Sequence, residues 1–586
     1  MLSLPSFVRK QLYKKESLFN AAEGCQFTLH NPFGSGTITS LLGLKVDAES
    51  HTADALDVVP PDGLPRPGGS VTDVAPLAVG LGSTLVVRLR GVRLDGGRHT
   101  LALRLITREL GELEIPFADA CRDTPAQDGA APLPAVSGAP SARGAAAKAV
   151  RPLRIAMIGA GSTVFARQLM SDILCTPGLT RGTFVLVDID AKRLELAHRI
   201  GEKMAGASGR AWTIEATAHR ENALRGCDYV INSIEVAGLR NVRHDYDIPL
   251  KYGVDQCIGD TIGPGGIFKM LRTGPAWLEI LRDIERLCPQ AYVMNYTNPM
   301  SALTLLALRA TRLRVLGLCH SVQNTAQQLA AYLEVPVEEL TFRCAGINHL
   351  AWYVELTRKG EDMYPLLRER ALDPEIYEAD PVRFEVMKHF GAFVTESSGH
   401  LSEYLPYFRK RPALLQKYAR GGYGGESGFY ANNWPSWREG GDASIRDILD
   451  GRSPLTLQRS GEYASTIIEG IEGGTPRVFH GNVMNAGIIE NLPADGCIEA
   501  PILADATGLQ PQKFGPLPAQ MAALDRAHMA VHELMAAAVL NADPQAGRHA
   551  LLLDPLTAAV CSPQEIDSMF DEMWQAQLQD LGWFRK

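Results

Sequence analysis

The sequence predicts an α/β protein preceded by a small all-β sandwich, and three observations carry that expectation. The apolar run Ile155-Ala156-Met157-Ile158 opens directly into Gly159-Ala160-Gly161-Ser162 and then into apolar residues at helical spacing, the pattern of strand, tight turn and helix. A second apolar run, Phe184-Val185-Leu186-Val187, ends in Asp188 and Asp190. From Leu153 onward apolar strands alternate with longer helical segments, whereas residues from about 17 to 120 carry short β-rich runs separated by turn signals.

The glycine turn comes first. Two glycines let the backbone turn sharply and approach a pyrophosphate, whose charge then meets unpaired amides at the helix start. Asp188, at the end of the second strand, is placed to accept hydrogen bonds from ribose hydroxyls. The third glycine of this fingerprint is missing, because Val164 and Phe165 stand where it belongs. A parallel-sheet turn with no ligand uses the same glycine pair. The next strands, Tyr229–Ser233, Ala291–Asn295 and Arg314–Leu318, end in Asn232-Ser233, in Asn295-Tyr296-Thr297-Asn298-Pro299 and in Cys319-His320-Ser321. Ligands of open α/β sheets bind beyond the carboxyl ends of the strands, so these clusters converge on one site.

At 586 residues the chain exceeds a single core. Its 46% hydrophobic and 21% charged residues are ordinary for a globular protein, and its net charge of -8 argues against a nucleic-acid binder or a basic membrane-surface protein. The start, MLSLPSFVRKQLYKKESL, lacks a secretory apolar run, and no stretch reaches the length of a bilayer span, so a cytoplasmic location is expected. Ten cysteines with no CxxC pair indicate neither a disulfide framework nor a zinc knuckle.

Four segments follow from this reading. Residues 1–122 form the sandwich, with strands at Gln26–Leu29, Gly36–Thr39, Thr84–Leu89 and His99–Ile106 and turns at Asn31-Pro32 and Asp95-Gly96-Gly97. Residues 123–152, rich in Ala, Pro and Gly, read as a flexible linker. Residues 153–345 form the nucleotide-binding domain. Residues 346–586, with strands at Leu350–Leu356 and Arg477–Ile489 and helices at Leu455–Glu472 and Met521–Leu540, form the domain for substrate, catalysis and oligomerisation.

Two constellations can carry chemistry. Cys319 and His349 can reach one rim, where a thiolate and an imidazole suit a divalent transition metal, although a buried cysteine and a satisfied core histidine give the same sequence. His320 is a further ligand or a substrate contact. Asp260 lies in a run with four glycines, Gln256 to Gly266, which reads either as a loop whose backbone approaches a ligand or as a capped turn. Glu396 to Tyr404 (ESSGHLSEY) is a third polar group, able to supply an acid or base.

Taken together, GAGSTVF, DTIGPGGIFKMLRT, NYTNPM, GLCHSVQ, GINHLAWY and IIENLP resemble the motifs of glycoside hydrolase family four, the NAD- and manganese-dependent glycosidases, in family order over about residues 153 to 586. The resemblance implies a Rossmann-type parallel sheet domain plus an α/β catalytic domain, in dimers or tetramers. It makes Cys319 and His349 the ligands of Mn(2+), and Asn298 and His320 contacts to a carbohydrate substrate. Gly159, Gly161, Ser162, Thr163 and Asp188, with Asn232 and Asn295, become the NAD site. Asp260 is the implied acid for the leaving group, and Tyr404 is the first choice for the base, with His400 and Glu403 behind it. His320 directly after the cysteine resembles the branch acting on unphosphorylated α-galactosides and α-uronides.

The implied mechanism is exceptional among glycosidases. Hydride leaves C3 for NAD, the resulting ketone acidifies the C2 proton, the glycosidic oxygen is eliminated from C1, water adds and the hydride returns. Net turnover is hydrolysis. Family members typically start near residue 153, so the sandwich is a departure. Segments such as LDGGRHTLALRL resemble the small β-sandwich subunit of bacterial C-glycoside-cleaving enzymes. A sugar 3-oxidoreductase, or an enzyme cleaving 3-keto or C-linked glycosides, is therefore the alternative reading.

Overall fold

The structure, a computed structural model, describes residues 12–15, 17–21, 23–30, 36–60, 65–73, 75–79, 84–108, 111–122 and 151–585. The Asn31-Pro32 turn and nearly all of the expected linker lie outside the described residues. The chain divides into two compact bodies. One comprises Met1–Pro134 with Ala326–Leu340 and Pro365–Ala379, and the other comprises the remainder.

The first body holds the expected sandwich. Its strands are β1 (Phe19–Ala21), β2 (Gly24–His30), β3 (Gly36–Val46), β4 (Glu49–Thr52), β5 (Leu56–Val59), β6 (Arg66–Pro67), β7 (Leu77–Val79), β8 (Thr84–Arg90), β9 (Arg98–Thr107) and β10 (Gly111–Ala120). One sheet runs β1-β2-β8-β5-β6 and the other β10-β9-β3-β4, with β7 on β3. Alternation decides which side chains turn inward: Leu85, Val87 and Leu89 of β8 share a core with Leu101, Leu103 and Leu105 of β9.

The second body is built on one 13-stranded sheet. Its parallel half contains β11 (Leu153–Ile158), β12 (Arg181–Val187), β13 (Ala211–Thr217), β14 (Tyr229–Asn232), β15 (Tyr292–Asn295) and β16 (Arg314–Gly317), in the order β13-β12-β11-β14-β15-β16. Counted from β11 this is the 3-2-1-4-5-6 order of dinucleotide folds, and it reverses between β11 and β14. These strands are apolar on both faces because helices cover both: β11 has the burial of a central strand, and Ile155, Ala156 and Met157 are at most 2% exposed.

The sheet continues through β17 (Leu340–Ile347), β18 (Leu350–Arg358), β19 (Glu361–Asp362), β20 (Phe393–Val394), β21 (Arg477–Met484), β22 (Cys497–Asp505) and β23 (Gly508–Pro511). β21 joins β16 antiparallel, pairing Asn482 with Gly317, and β22 carries the sheet on to β17 and β18. The division expected near residue 345 is therefore crossed by a common sheet. The expected strand to Ile489 stops at Met484, and the expected helix from Leu455 begins only at Ala464.

The helices that matter to the site are α1 (Thr163–Cys175), α2 (Ala191–Ser208), α3 (Gly238–Lys251), α4 (Gly263–Leu287), α5 (Met300–Ala310), α6 (Ser398–Tyr404), α7 (Phe429–Leu449), α8 (Ala464–Gly473) and α9 (Ala519–Leu540). The run read as a glycine loop is half helix, since Gly263 to Gly266 form the first turn of α4. A β-carbon on Gly265 would fall 2.2 Å from the Gly259 carbonyl oxygen, so glycine there lets the preceding loop fold back onto the helix.

Candidate active site

The nucleotide end is built by the turn between β11 and α1. Gly159 adopts φ +86, and a β-carbon on it would meet the Ser233 carbonyl at 2.6 Å, so the turn passes hard against the end of β14. The Gly161 amide donates to Asp188 Oδ2 (2.7 Å) and the Asp190 amide to Oδ1 (2.9 Å). Each carboxylate oxygen keeps a lone pair for a ribose hydroxyl. Ile189 beside it is 97% exposed, an apolar side chain facing outward next to Asp188. Ser162 caps α1 without a side-chain bond, and Thr163 is the first residue of the helix. The missing third glycine is compensated from the other side, because Val164 lies where a β-carbon on Gly441 of α7 would come within 2.6 Å.

Asn232 and Asn295 meet, but beneath this site. Both are fully buried, and Asn232 Nδ2 donates to Asn295 Oδ1 (2.8 Å) and Thr297 Oγ1 (3.2 Å), while Asn295 Nδ2 donates to the Thr297 carbonyl (3.0 Å). They shape the floor that carries Thr297 and do not line the cavity above it, a correction to their reading as direct cofactor contacts.

That cavity, of about 250 Å³, is lined by Ser162 and Ser233 at the nucleotide end, Asp260, Asn298 and Lys269 along one wall and Trp434 opposite. Asn298 Nδ2 donates to Asp260 Oδ2 (3.1 Å), Thr261 Oγ1 donates to Oδ1 (2.5 Å), and the Lys269 ammonium lies 3.4 Å from Oδ2. Burial by itself raises the Asp260 pKa, but Lys269, His400 and these two hydrogen bonds outweigh it and hold the carboxyl well below the ordinary carboxylate range. Asp260 is therefore held as a carboxylate, whereas the leaving-group acid role read from the sequence calls for its protonated form.

At the carboxyl end of β16, Cys319 meets His349, which sits in the tight connection between β17 and β18. The Sγ to Nε2 distance is 3.3 Å, and His349 holds a left-handed φ of +65. A thiolate and an imidazole bound to one first-row cation stand roughly 3.1–3.5 Å apart, so the pair fits a common ion. Among the described residues no cluster of three or more His, Cys, Asp or Glu side chains is placed to hold an ion.

Around the pair, α6 and the residues before it place the remaining candidates. The His349 and His400 rings are 4.9 Å apart at 72°, and Tyr404 packs on both. Glu403 is spent on structure: it accepts the amides of Cys257, Ile258 and Gly259 and pairs with His400 Nδ1 at 2.9 Å, bracing the loop that carries Asp260. It has no lone pair to spare for a substrate proton. His400 Nε2 and the Tyr404 hydroxyl, by contrast, are buried without partners. Burial, then Asp260, Glu396 and Glu403, push the Tyr404 phenol well above its usual pKa. His320 is half exposed and lies 3.2 Å from Glu462, a pairing that outweighs its partial desolvation and raises its pKa.

Two residues of the site, Lys269 and Glu235, were not singled out from the sequence, and Glu396 entered only as the start of the polar group Glu396 to Tyr404. Glu396 holds φ +77; desolvation opposes its ionisation, but His349, His400 and the Ser397 amide lower its pKa to about 2. Lys269 stands nine residues after Asp260, on the buried face of α4, within the run DTIGPGGIFKMLRT, where its spacing gave no sign of a role of its own. Glu235 stands three residues beyond the end of β14, and its nearness to that strand end was the available signal.

The fold and these contacts define an enzyme of the dinucleotide-binding α/β class with a cysteine–histidine pair at the carboxyl end of its sheet. Residues 154–335 match the family model described as family 4 glycosyl hydrolase, and residues 344–557 that of the family 4 glycosyl hydrolase C-terminal domain. Residues 8–122 match the N-terminal domain of hydroxymethylglutaryl-CoA reductase. An α-galactosidase of Bacillus subtilis is 39% identical over 434 residues, covering 72% of this chain and 98% of that one. An α-galacturonidase of the same species is 30% identical, covering 73% and 98%. Among solved structures, the Bacillus subtilis glucosidase lplD superposes with a TM-score of 0.65 at 28% identity, covering 72% of this chain and 99% of its own. A 6-phospho-α-glucosidase from gut microorganisms, crystallised with NAD and Mn2+, shares the fold at a TM-score of 0.62 and 21% identity, covering 73% and 99%. The chain belongs to family 4 of the glycosyl hydrolases, and it is a glycosidase.

Proposed function

We propose that the protein hydrolyses α-galactosides, with α-uronides as the related substrates, using NAD and Mn2+. The observation that supports this most is the 3.3 Å approach of Cys319 and His349 at the strand ends that also carry the glycine turn and Asn298. Cys319 and His349 would hold the metal, and Gly159, Gly161, Ser162, Thr163 and Asp188 the dinucleotide. When bound, the two supply a hydride acceptor for C3 and a Lewis acid for the ketone formed there.

The chain's own residues then divide the proton work. Asp260, ionised and steadied by Asn298 and Lys269, takes the C3 hydroxyl proton. The Tyr404 hydroxyl, unpaired and packed against His349, takes the C2 proton, and a cation held by Cys319 and His349 would oppose the burial and the nearby anions that raise its pKa. His400, whose tautomer is fixed by Glu403, stands next in line with its free Nε2. Asn298 and His320 orient the sugar. We place the enzyme in the cytoplasm as a homo-oligomer. Its ten cysteines are free, as a reducing compartment keeps them, and no described helix is long and apolar enough to cross a membrane.

The test is release of nitrophenol from nitrophenyl α-galactoside in heavy water. Dependence on NAD and Mn2+, one deuteron at C2 of the product and no net NADH are expected. NADH accumulating in step with product would instead mark a sugar oxidoreductase.

A further inference from the structure

The cavity assigned to the sugar in that glycosidase reading carries three charged side chains along its lining, Glu235, Asp260 and Lys269. Lys269 is 6% exposed, and its ammonium lies 2.8 Å from Glu235 Oε2 and 3.4 Å from Asp260 Oδ2. Asp260 has Asn298 and Thr261 as further donors, so it does not depend on the ammonium alone. Glu235 lies just ahead of Ala237, which takes a left-handed φ of +54 at the start of α3, and its Oε1 is buried without a partner. Two carboxylates thus face one ammonium, and the wall is left net negative.

We propose that Glu235 is a specificity-determining residue that makes this cavity select a neutral sugar over one bearing a carboxylate, by occupying the ammonium that would otherwise receive it. The inference rests on the glycosidase reading for its substrates, and on the geometry of Glu235 and Lys269 for its cause. A uronide differs from the matching galactoside by one negative charge at nearly equal size. In so small a cavity that charge lies within several ångströms of Glu235 and Lys269, wherever the sugar sits. At such distances in a partly desolvated site one unit charge changes relative affinity by roughly ten- to a hundredfold. Glutamine at 235 keeps the shape and an acceptor for Lys269 but returns the full ammonium to the substrate.

The experiment measures kcat/KM for nitrophenyl α-galactoside and nitrophenyl α-galacturonide with NAD and Mn2+ in the full chain and in Glu235→Gln, Glu235→Asp and Lys269→Met. The natural enzyme should favour the galactoside. Glu235→Gln should raise the uronide-to-galactoside ratio about tenfold or more, Glu235→Asp should leave it within about threefold, and Lys269→Met should lower it. Because the readout is a ratio on one enzyme, bound cofactor and metal contribute equally to both terms, and a merely structural role for Glu235 would depress both substrates together. A natural preference for the uronide, or a ratio in Glu235→Gln that stays level or falls, would overturn the proposal. If no variant turns over either substrate, the glycosidase reading is what fails. Dissociation constants of methyl α-galactoside and methyl α-galacturonide then decide the charge filter by the same ratio shift.

Discussion

Cys319 Sγ and His349 Nε2 stand 3.3 Å apart although thirty residues separate them in the chain. The contact exists because β16 delivers Cys319 to the sheet edge, while the β17–β18 connection, forced left-handed at His349, points the imidazole back at it. A left-handed backbone costs a residue with a β-carbon about 1–2 kcal/mol, and such strain concentrates at functional sites. Cys319→Ala should therefore weaken Mn(II) binding by about a hundredfold, read from the free-ion signal in electron paramagnetic resonance, and leave the melting temperature nearly unchanged. Oxidation of Cys319 should do the same, with reductant and manganese together restoring binding. Undiminished Mn(II) affinity in Cys319→Ala would remove the metal site from the account.

The glycine turn yields a second test. A β-carbon on Gly161 would sit 2.5 Å from Asp188 Oδ2, displacing the carboxylate that holds the turn and that we propose binds the ribose. Gly161→Ala should weaken NADH binding about tenfold or more in a fluorescence titration, with the sheet intact because the clash is confined to the turn. Equal affinity in the variant would mean that the dinucleotide lies elsewhere.

Much of this site could be read in the chain, and the reason is local. Strand ends followed by polar clusters announce themselves within a few residues, which is why Gly159, Asp188, Asn298 and Cys319 were visible and the parallel sheet with them. What could not be read depended on partners distant in sequence. Glu403 looks like a free acid until the amides of residues 257–259 fold onto it. Asp260 looks like a proton donor until Lys269 and Asn298 fix its charge. Asn232 and Asn295 stand at the right strand ends, but they face each other beneath the cavity. That one sheet runs across residue 345 could not be read for a similar reason, since antiparallel β21 and β22 return from far down the chain to extend it.

The three candidates for the C2 base separate by what each variant loses. Tyr404→Phe removes one unpartnered oxygen, so it should fold normally and turn over about a hundred- to ten-thousandfold more slowly, with C2 deuterium uptake abolished. Glu403→Gln turns an amide group against backbone donors and should lower stability by about 1–3 kcal/mol, seen as a lower melting temperature. Persistent exchange at C2 in Tyr404→Phe, together with its loss in His400→Gln, would transfer the role to His400.

Beneath Tyr404, α9 buries two further histidines, and they set an acid limit on the fold. The rings of Tyr404 and His528 are 4.9 Å apart, and His528 and His532 are 1% and 2% exposed. Burial lowers the His528 pKa to about 4 and, helped by the neighbouring His528, that of His532 to about 3; His480 on β21 is lowered to about 4 in the same way. Free histidine titrates near 6.5, so below that pH the unfolded chain takes up protons that the folded protein refuses. The stability these residues contribute is complete above pH 6.5 and is lost as the pH falls through 4. Buried acids such as Asp525, whose pKa burial pushes up, act with the opposite sign, so the slope of the parent protein alone is not diagnostic. The difference from a His532→Leu variant is. Its melting temperature should run close to the parent's at pH 7.5 and exceed it increasingly below pH 6.5, reflecting a stability difference on the order of 2–4 kcal/mol near pH 4. Parallel curves across that range would mean that His532 takes up its proton in the folded protein as readily as in water.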